Sequence, residues 1–151
     1  MIRNNLVSLS IHVAVLLVSL LLIGATGVQG GFTVMIVGFA AVAYIGLSYA
    51  SLISSASAGA NLLSVISVSA IGLIIGLLCW FFPGQMGFNW MIYMGYHLYF
   101  FALFDAFDFD FRMRAMLPLF IAPSLLLWAG LQLKALRSRR PAIVRHGDMR
   151  E

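Results

Sequence analysis

The chain has 151 residues, of which 62% are hydrophobic and 9% charged, with a mean hydropathy of +1.02. Soluble domains carry roughly 45–50% apolar and about 25% charged residues, so a fold of this length lacks the polar side chains to cover itself in water. The composition excludes a disordered chain, a secreted disulfide scaffold (Cys79 is single) and a nucleic-acid-binding domain, and it points to an integral membrane protein whose net charge of +4 is concentrated in its last residues.

Not one Asp, Glu, Lys or Arg lies between Asn4 and Phe104. A membrane-crossing helix needs about 17–25 apolar residues, and five segments qualify: 6–25, 32–53, 61–82, 88–104 and 115–133. The expected fold is therefore an all-α five-transmembrane-helix bundle over 1–133, followed by a basic tail over 134–151. The breaks carry turn chemistry: Gly27, Gly30 and Gly31; a Ser/Ala/Gly run over 54–60; and Pro83 with Gly84 and Gly87.

The first segment resembles a signal peptide, with small residues from Gly24 to Gly27, and is expected to be retained. It holds His12 well inside the apolar stretch. In the second segment, Gly38, Gly46 and Ala50 form a loose small-residue face. The third carries Gly72-x-x-x-Gly76 with Ser64 two turns earlier, a spacing that lets helix backbones approach closely in lipid. These three are the helix-packing candidates, and Cys79 reads as a structural thiol. Trp80 and Trp90 flank the third break, where indoles favour the headgroup region.

The fourth segment, at 17 residues, is the weakest span; if it only dips into the membrane the crossings number four and the start of the chain lies on the cytoplasmic side. Tyr93, Tyr96, His97, Phe100 and Phe104 share one helical face there, and His97 lies at a depth that matches His12 when all five segments cross. Two imidazoles in one layer are what a bis-histidine haem requires; the plainer expectation pairs His12 with Ser8 and His97 with Tyr93. The candidate ligand-binding set is His12, Tyr93, Tyr96, His97 and Phe100, with Asp105, Asp108 and Asp110 from the block that follows. That block alternates Phe or Met with charge up to Arg112 and Arg114. It reads as a solvated loop, the carboxylates being too few and too commonly spaced to define a metal site.

In the fifth segment Pro118 falls in the first turn and Pro123 is expected to kink the helix. The tail bears Lys134, Arg137, Arg139, Arg140, Arg145 and Arg150 against Asp148 and Glu151, and the positive-inside rule reads it as cytoplasmic. With five crossings the start of the chain lies on the opposite side.

The chain also resembles itself at a spacing of 56 residues. Asn5-Leu6-x-Ser8 recurs as Asn61-Leu62-x-Ser64, and Gln29-x-Gly31-Phe32-x-x-Met35-Ile36 recurs as Gln85-x-Gly87-Phe88-x-x-Met91-Ile92. Self-similarity of this kind implies two tandem parallel hairpin repeats, about 5–50 and 61–106, with the fifth helix over 115–133 added. No nucleotide-binding, zinc-protease, serine-hydrolase or dithiol motif is present. The functional expectation is a small multi-pass protein of the plasma (inner) membrane, without catalytic or metal site, that binds another membrane protein or itself as an accessory subunit, regulator or immunity-type factor. The alternative is a carrier for a hydrophobic ligand such as a lipid, quinone or haem; otherwise no cofactor is expected.

Overall fold

A computed structural model describes residues 1–26, 30–84, 88–100 and 113–147, with the backbone alone at 30, 113–116 and 139–147. All regular structure among these residues is helical. In chain order the elements are α1 (Ile2–Thr26), α2 (Gly30–Ser51), α3 (Ala58–Leu63), α4 (Ile66–Phe81), α5 (Asn89–Tyr96), a 3-10 helix (Met113–Ile121) and α6 (Ala122–Gly147). Residues 98–100 are helical again after a turn at His97. Three helices are long and apolar enough to cross a membrane: Ile2–Thr26, Gly31–Ser51 and Leu117–Ser138. Ile66–Phe81 is apolar but shorter.

The bundle is apolar on its outside. Leu17, Leu21, Met35, Val42, Ile74, Phe81, Leu133 and Leu136 are exposed, whereas Ser8, His12, Ser19, Thr33, Ser48, Ser69, His97 and Ser124 are buried. Lipid explains the inversion: apolar side chains lose nothing by facing it, and a polar group there lacks a partner unless another helix supplies one. The largest core cluster gathers Ile11 and Val15 of α1, Ala40 and Tyr44 of α2, Val65, Val68, Tyr99, and Leu127 and Leu131 of α6.

The segment expected as one helix over 61–82 is two. Ser57 caps α3, accepting from the Ala60 N–H at 3.4 Å, and the chain breaks at Ser64 and Val65. Asn5 replaces what the break costs: its side chain accepts the Ser67 N–H at 3.2 Å, and its carbonyl accepts from the Ser67 hydroxyl at 3.2 Å. After α4, Gly84 adopts a φ of 72° that L side chains rarely take. The Asn89 amide donates to the Phe82 carbonyl at 2.6 Å and closes the reversal.

From that reversal α5 runs back along α4. Cys79 donates to the Asn89 carbonyl at 3.0 Å, a Cβ at Gly76 would meet Tyr93, and Tyr96 donates to the Val68 carbonyl at 2.8 Å. The last span runs antiparallel to α4 as well: Leu117 lies against Gly76, Phe120 against Gly72, and Ser124 bonds both the Ser69 N–H and the Val65 carbonyl. Segments four and five therefore run parallel to each other, where five successive crossings alternate in direction. Helix α5 itself runs for eight residues to a turn at His97, whose N–H is shared between the Tyr93 and Met94 carbonyls, and helix resumes over 98–100.

Both chain ends gather at one end of the bundle. Asn4 at the start of α1 donates to the Ile53 carbonyl at 2.8 Å, and Lys134 of α6 donates to the Leu52 carbonyl at 2.7 Å. Trp128 donates to the Ala58 carbonyl at 3.0 Å, and Arg137 to the Tyr49 hydroxyl at 3.0 Å. Five full crossings would separate Asn4 from Lys134 by the whole membrane. Pro118 lies in the 3-10 helix, and Pro123 stands at the start of α6, where the 3-10 helix passes directly into α-helix.

Candidate functional site

Polar side chains inside a lipid-facing bundle are the first place to look for chemistry. The histidines and tyrosines among them form a cluster built from α1, α2 and the fourth segment. His12 Nδ1 lies 2.6 Å from the Tyr44 hydroxyl, and Tyr44 donates to Tyr99 at 3.1 Å. With the Tyr44 proton directed at Tyr99, His12 Nδ1–H is the donor to Tyr44, and His12 Nε2 is left as a bare acceptor. Tyr96 packs its ring on His12 at a centroid distance of 4.3 Å and on His97 at 5.0 Å. His97 Nδ1–H donates to the Tyr93 carbonyl at 3.1 Å, so its Nε2 is a bare acceptor too. Among the described residues both Nε2 atoms are buried without a hydrogen-bond partner.

The two histidines thus meet in one layer, bridged by the face of Tyr96 rather than facing each other across a gap. Their hydrogen bonds differ from the expected ones. Ser8 donates to the Asn5 carbonyl and leaves His12 to Tyr44, while Tyr93 serves His97 through its backbone and donates its hydroxyl to the Leu117 carbonyl at 2.7 Å. Phe100 packs on Tyr99 at 4.8 Å between centroids. Phe104, Asp105, Asp108 and Asp110 lie outside the described residues. Among the described residues no three His, Cys, Asp or Glu side chains come together as a metal site would need.

The glycines of α4 give this cluster its floor. A Cβ at Gly72 would lie 3.1 Å from Tyr96 Cε1 and 3.3 Å from His97 Cε1; one at Gly76 would lie 2.5 Å from Leu117 Cδ1. The Gly72 and Gly76 face is therefore occupied by aromatic rings and Leu117 of the same chain. Ser64 sits at the polar end, donating to the Asn61 carbonyl at 2.8 Å. Gly38 and Gly46 border open space, whereas a Cβ at Gly130 would strike the Ser48 hydroxyl and the Ile45 carbonyl, making α2 with α6 the tightest approach.

Two cavities lie elsewhere. One, of about 240 Å³, is an apolar crevice between α4 and the start of α6, lined by Ile66, Ser69, Leu73, Phe120, Ser124 and Leu125 among others. The second, of about 260 Å³, opens at the end where the chain ends gather and includes Arg3, Ser54 and Ser55 in its lining.

Sequence reasoning missed Tyr44, Tyr99 and Gly130. Tyr44 is isolated in an apolar span, and nothing in its spacing marks it as a partner for residue 12 or residue 99. Tyr99 does stand three residues after Tyr96, one helical step away, and that spacing was the available signal. No protein-family model, curated protein or solved structure matches the chain.

Proposed function

We propose that the chain is a multi-pass membrane protein without enzymatic chemistry that works by binding another membrane protein, as an accessory subunit, regulator or immunity-type factor. The observation that supports this reading is the continuation of α6 as helix beyond Ser138, where the apolar span ends, to Gly147. At 1.5 Å per residue those nine residues make a rod of about 14 Å, and it carries Arg139, Arg140 and Arg145. Its root is braced, because Lys134 and Arg137 bond to the carbonyl of Leu52 and the hydroxyl of Tyr49. A helix rich in arginine that continues from a braced span offers a docking element for an acidic partner surface near the membrane.

In this reading α1, α2, the α3–α4 pair and α6 make four crossings, and the segment from Asn89 enters without crossing. The end that holds Arg3, Lys134 and Arg137 faces the cytoplasm from the plasma (inner) membrane. The antiparallel pairs α1/α2 and α4/α5 descend from a duplicated hairpin whose second copy has a shortened return helix. The test is native mass spectrometry of the protein released gently from its own membrane, with and without residues 139–151. A partner chain at fixed stoichiometry that disappears with the deletion is the expected result. A bare chain, or a partner indifferent to the deletion, overturns it.

A second reading, a carrier for a hydrophobic ligand, is favoured by the two unpartnered imidazole nitrogens. Both are acceptors, so they select a ligand that offers a hydroxyl proton, such as a quinol or sterol-like alcohol, or a metal centre such as haem iron. A porphyrin would have to displace Tyr96 from between the rings. Ligand mass lost from His97→Leu with the helical bundle intact would establish this reading over the first.

A further inference from the structure

The cavity of about 260 Å³ at the gathered end has a lining that is part polar and part apolar. Arg3 and Asn4 come from α1, Ser54 and Ser55 from the α2–α3 connection, and Asn61 and Ser64 from α3; Ile53 and Ala60 supply apolar surface. Its size is slightly below the roughly 300–1,000 Å³ of drug-sized ligand pockets, and suits a headgroup-sized ligand.

The amides in this lining are already committed. Asn4 bonds both backbone groups of Ile53, and Asn61 bonds both backbone groups of Ser55, accepting its N–H at 2.6 Å and donating to its carbonyl at 3.0 Å. Ser64 donates to the Asn61 carbonyl and stands 3.3 Å from the Asn4 amide. These bonds hold the connection in place and leave three groups with donors to offer. Arg3 has no hydrogen bond or ion pair among the described residues, and neither does the Ser54 hydroxyl. Ser55 accepts from the Ser57 N–H at 3.3 Å and keeps its own hydroxyl proton. A guanidinium and two hydroxyls that line one cavity are a donor set for a phosphate group, planar and bidentate on the cationic side.

Depth decides what carries the phosphate. The apolar stretch of α1 begins at Leu6, about one helical turn after Arg3, so Arg3 lies at the level of the lipid headgroups, which occupy roughly 5–7 Å on each side of the hydrocarbon core. The apolar part of the lining suits a glycerol backbone better than a free anion. We propose that this cavity binds the phosphate group of an anionic phospholipid. The proposal rests on membrane embedding and is independent of the partner reading, so each can fail alone.

The test uses the full chain in detergent, stripped of lipid and offered phosphatidylglycerol, phosphatidylcholine or inorganic phosphate, with bound mass read by native mass spectrometry. Wild type should retain one phosphatidylglycerol and release phosphatidylcholine. Arg3→Gln should weaken phosphatidylglycerol about tenfold, as expected for loss of a charge-assisted hydrogen bond. Arg137→Gln, at the same end but outside the cavity, should leave retention unchanged. Circular dichroism and gel filtration check each fold, and Ser54→Ala with Ser55→Ala, expected to weaken retention severalfold, carries the test if Arg3→Gln fails to assemble. Millimolar inorganic phosphate that displaces the lipid from wild type and ignores Arg3→Gln would keep the anion site but transfer it to a free phosphate compound. Equal retention of phosphatidylcholine, unchanged retention by Arg3→Gln and the double serine variant, or equal loss in Arg137→Gln would overturn the proposal.

Discussion

Asn4 holds the backbone of Ile53 from both sides: its Nδ2 donates to the Ile53 carbonyl at 2.8 Å and its Oδ1 accepts the Ile53 N–H at 3.2 Å. A primary amide is the side-chain group that can donate and accept in one plane, as a backbone neighbour would. The two bonds fix the start of α1 to the residue just past the end of α2. With a further bond from Asn4 to Ser64 at 3.3 Å, α3 joins the same assembly.

Asn4→Leu leaves both backbone groups of Ile53 without a partner in a part-buried site, an expected loss of about 1–3 kcal/mol. Ser10→Ala, which removes an exposed bond to the Leu6 carbonyl within the same helix, should stay within about 0.5 kcal/mol. Reversible unfolding in mixed micelles compares the two. Equal effects would show that the Asn4 clamp carries no special weight.

The glycines should rank by what surrounds them. Gly130→Ala drives a methyl into the Ile45 carbonyl and Ser48, and should be the most damaging; Gly76→Ala meets flexible Leu117, at about 1–3 kcal/mol. Leu117→Ala should then rescue Gly76→Ala in part. Gly46→Ala borders open space and should be neutral or slightly stabilising, by up to about 1 kcal/mol. Thermal stability in detergent tests the order.

Tyr44→Phe removes both its bond to His12 and its bond to Tyr99, stranding His12 Nδ1 in the bundle, for an expected loss of about 1–3 kcal/mol. Tyr99→Phe removes a single bond and should cost less, about 1 kcal/mol. A double variant no worse than Tyr44→Phe would show that the hydroxyls act as one chain. Additive losses would show that they act separately.

Cysteine labelling tests the topology. In a Cys79→Ser background, Ser54→Cys and Ser138→Cys should react with an impermeant reagent from the same side of sealed vesicles, and Pro83→Cys from the other. Five alternating crossings require Ser54 and Ser138 to react from opposite sides.

Much of this fold was legible in the sequence, because apolar length alone finds α1, α2 and the last span. The polar character of buried Ser64 and His97 was visible as well. What the sequence hid was direction. Residues 88–104 read as one apolar helix, and nothing in their spacing marks the turn at His97 that interrupts it. The break at Ser64 and Val65 was equally hidden: neither is a helix-breaking residue, and Asn5, about sixty positions earlier, makes the bonds that stabilise the interruption. Tyr44 and Tyr99 were overlooked for the same reason. Their meaning lies in a pairing across helices, and one-dimensional periodicity sees single helices.

The bond from Lys134 to Leu52 joins residues 82 positions apart. During synthesis the carbonyl of Leu52 emerges long before its cation, while His12 and Tyr44, 32 positions apart, can already pair. The bonds of the first hairpin, His12 to Tyr44 and Asn4 to Ile53, need nothing beyond residue 53, whereas the latch of Lys134 on Leu52 needs the final helix. A chain halted before Lys134 would keep the bonds of its first hairpin yet leave the Leu52 carbonyl without that cation.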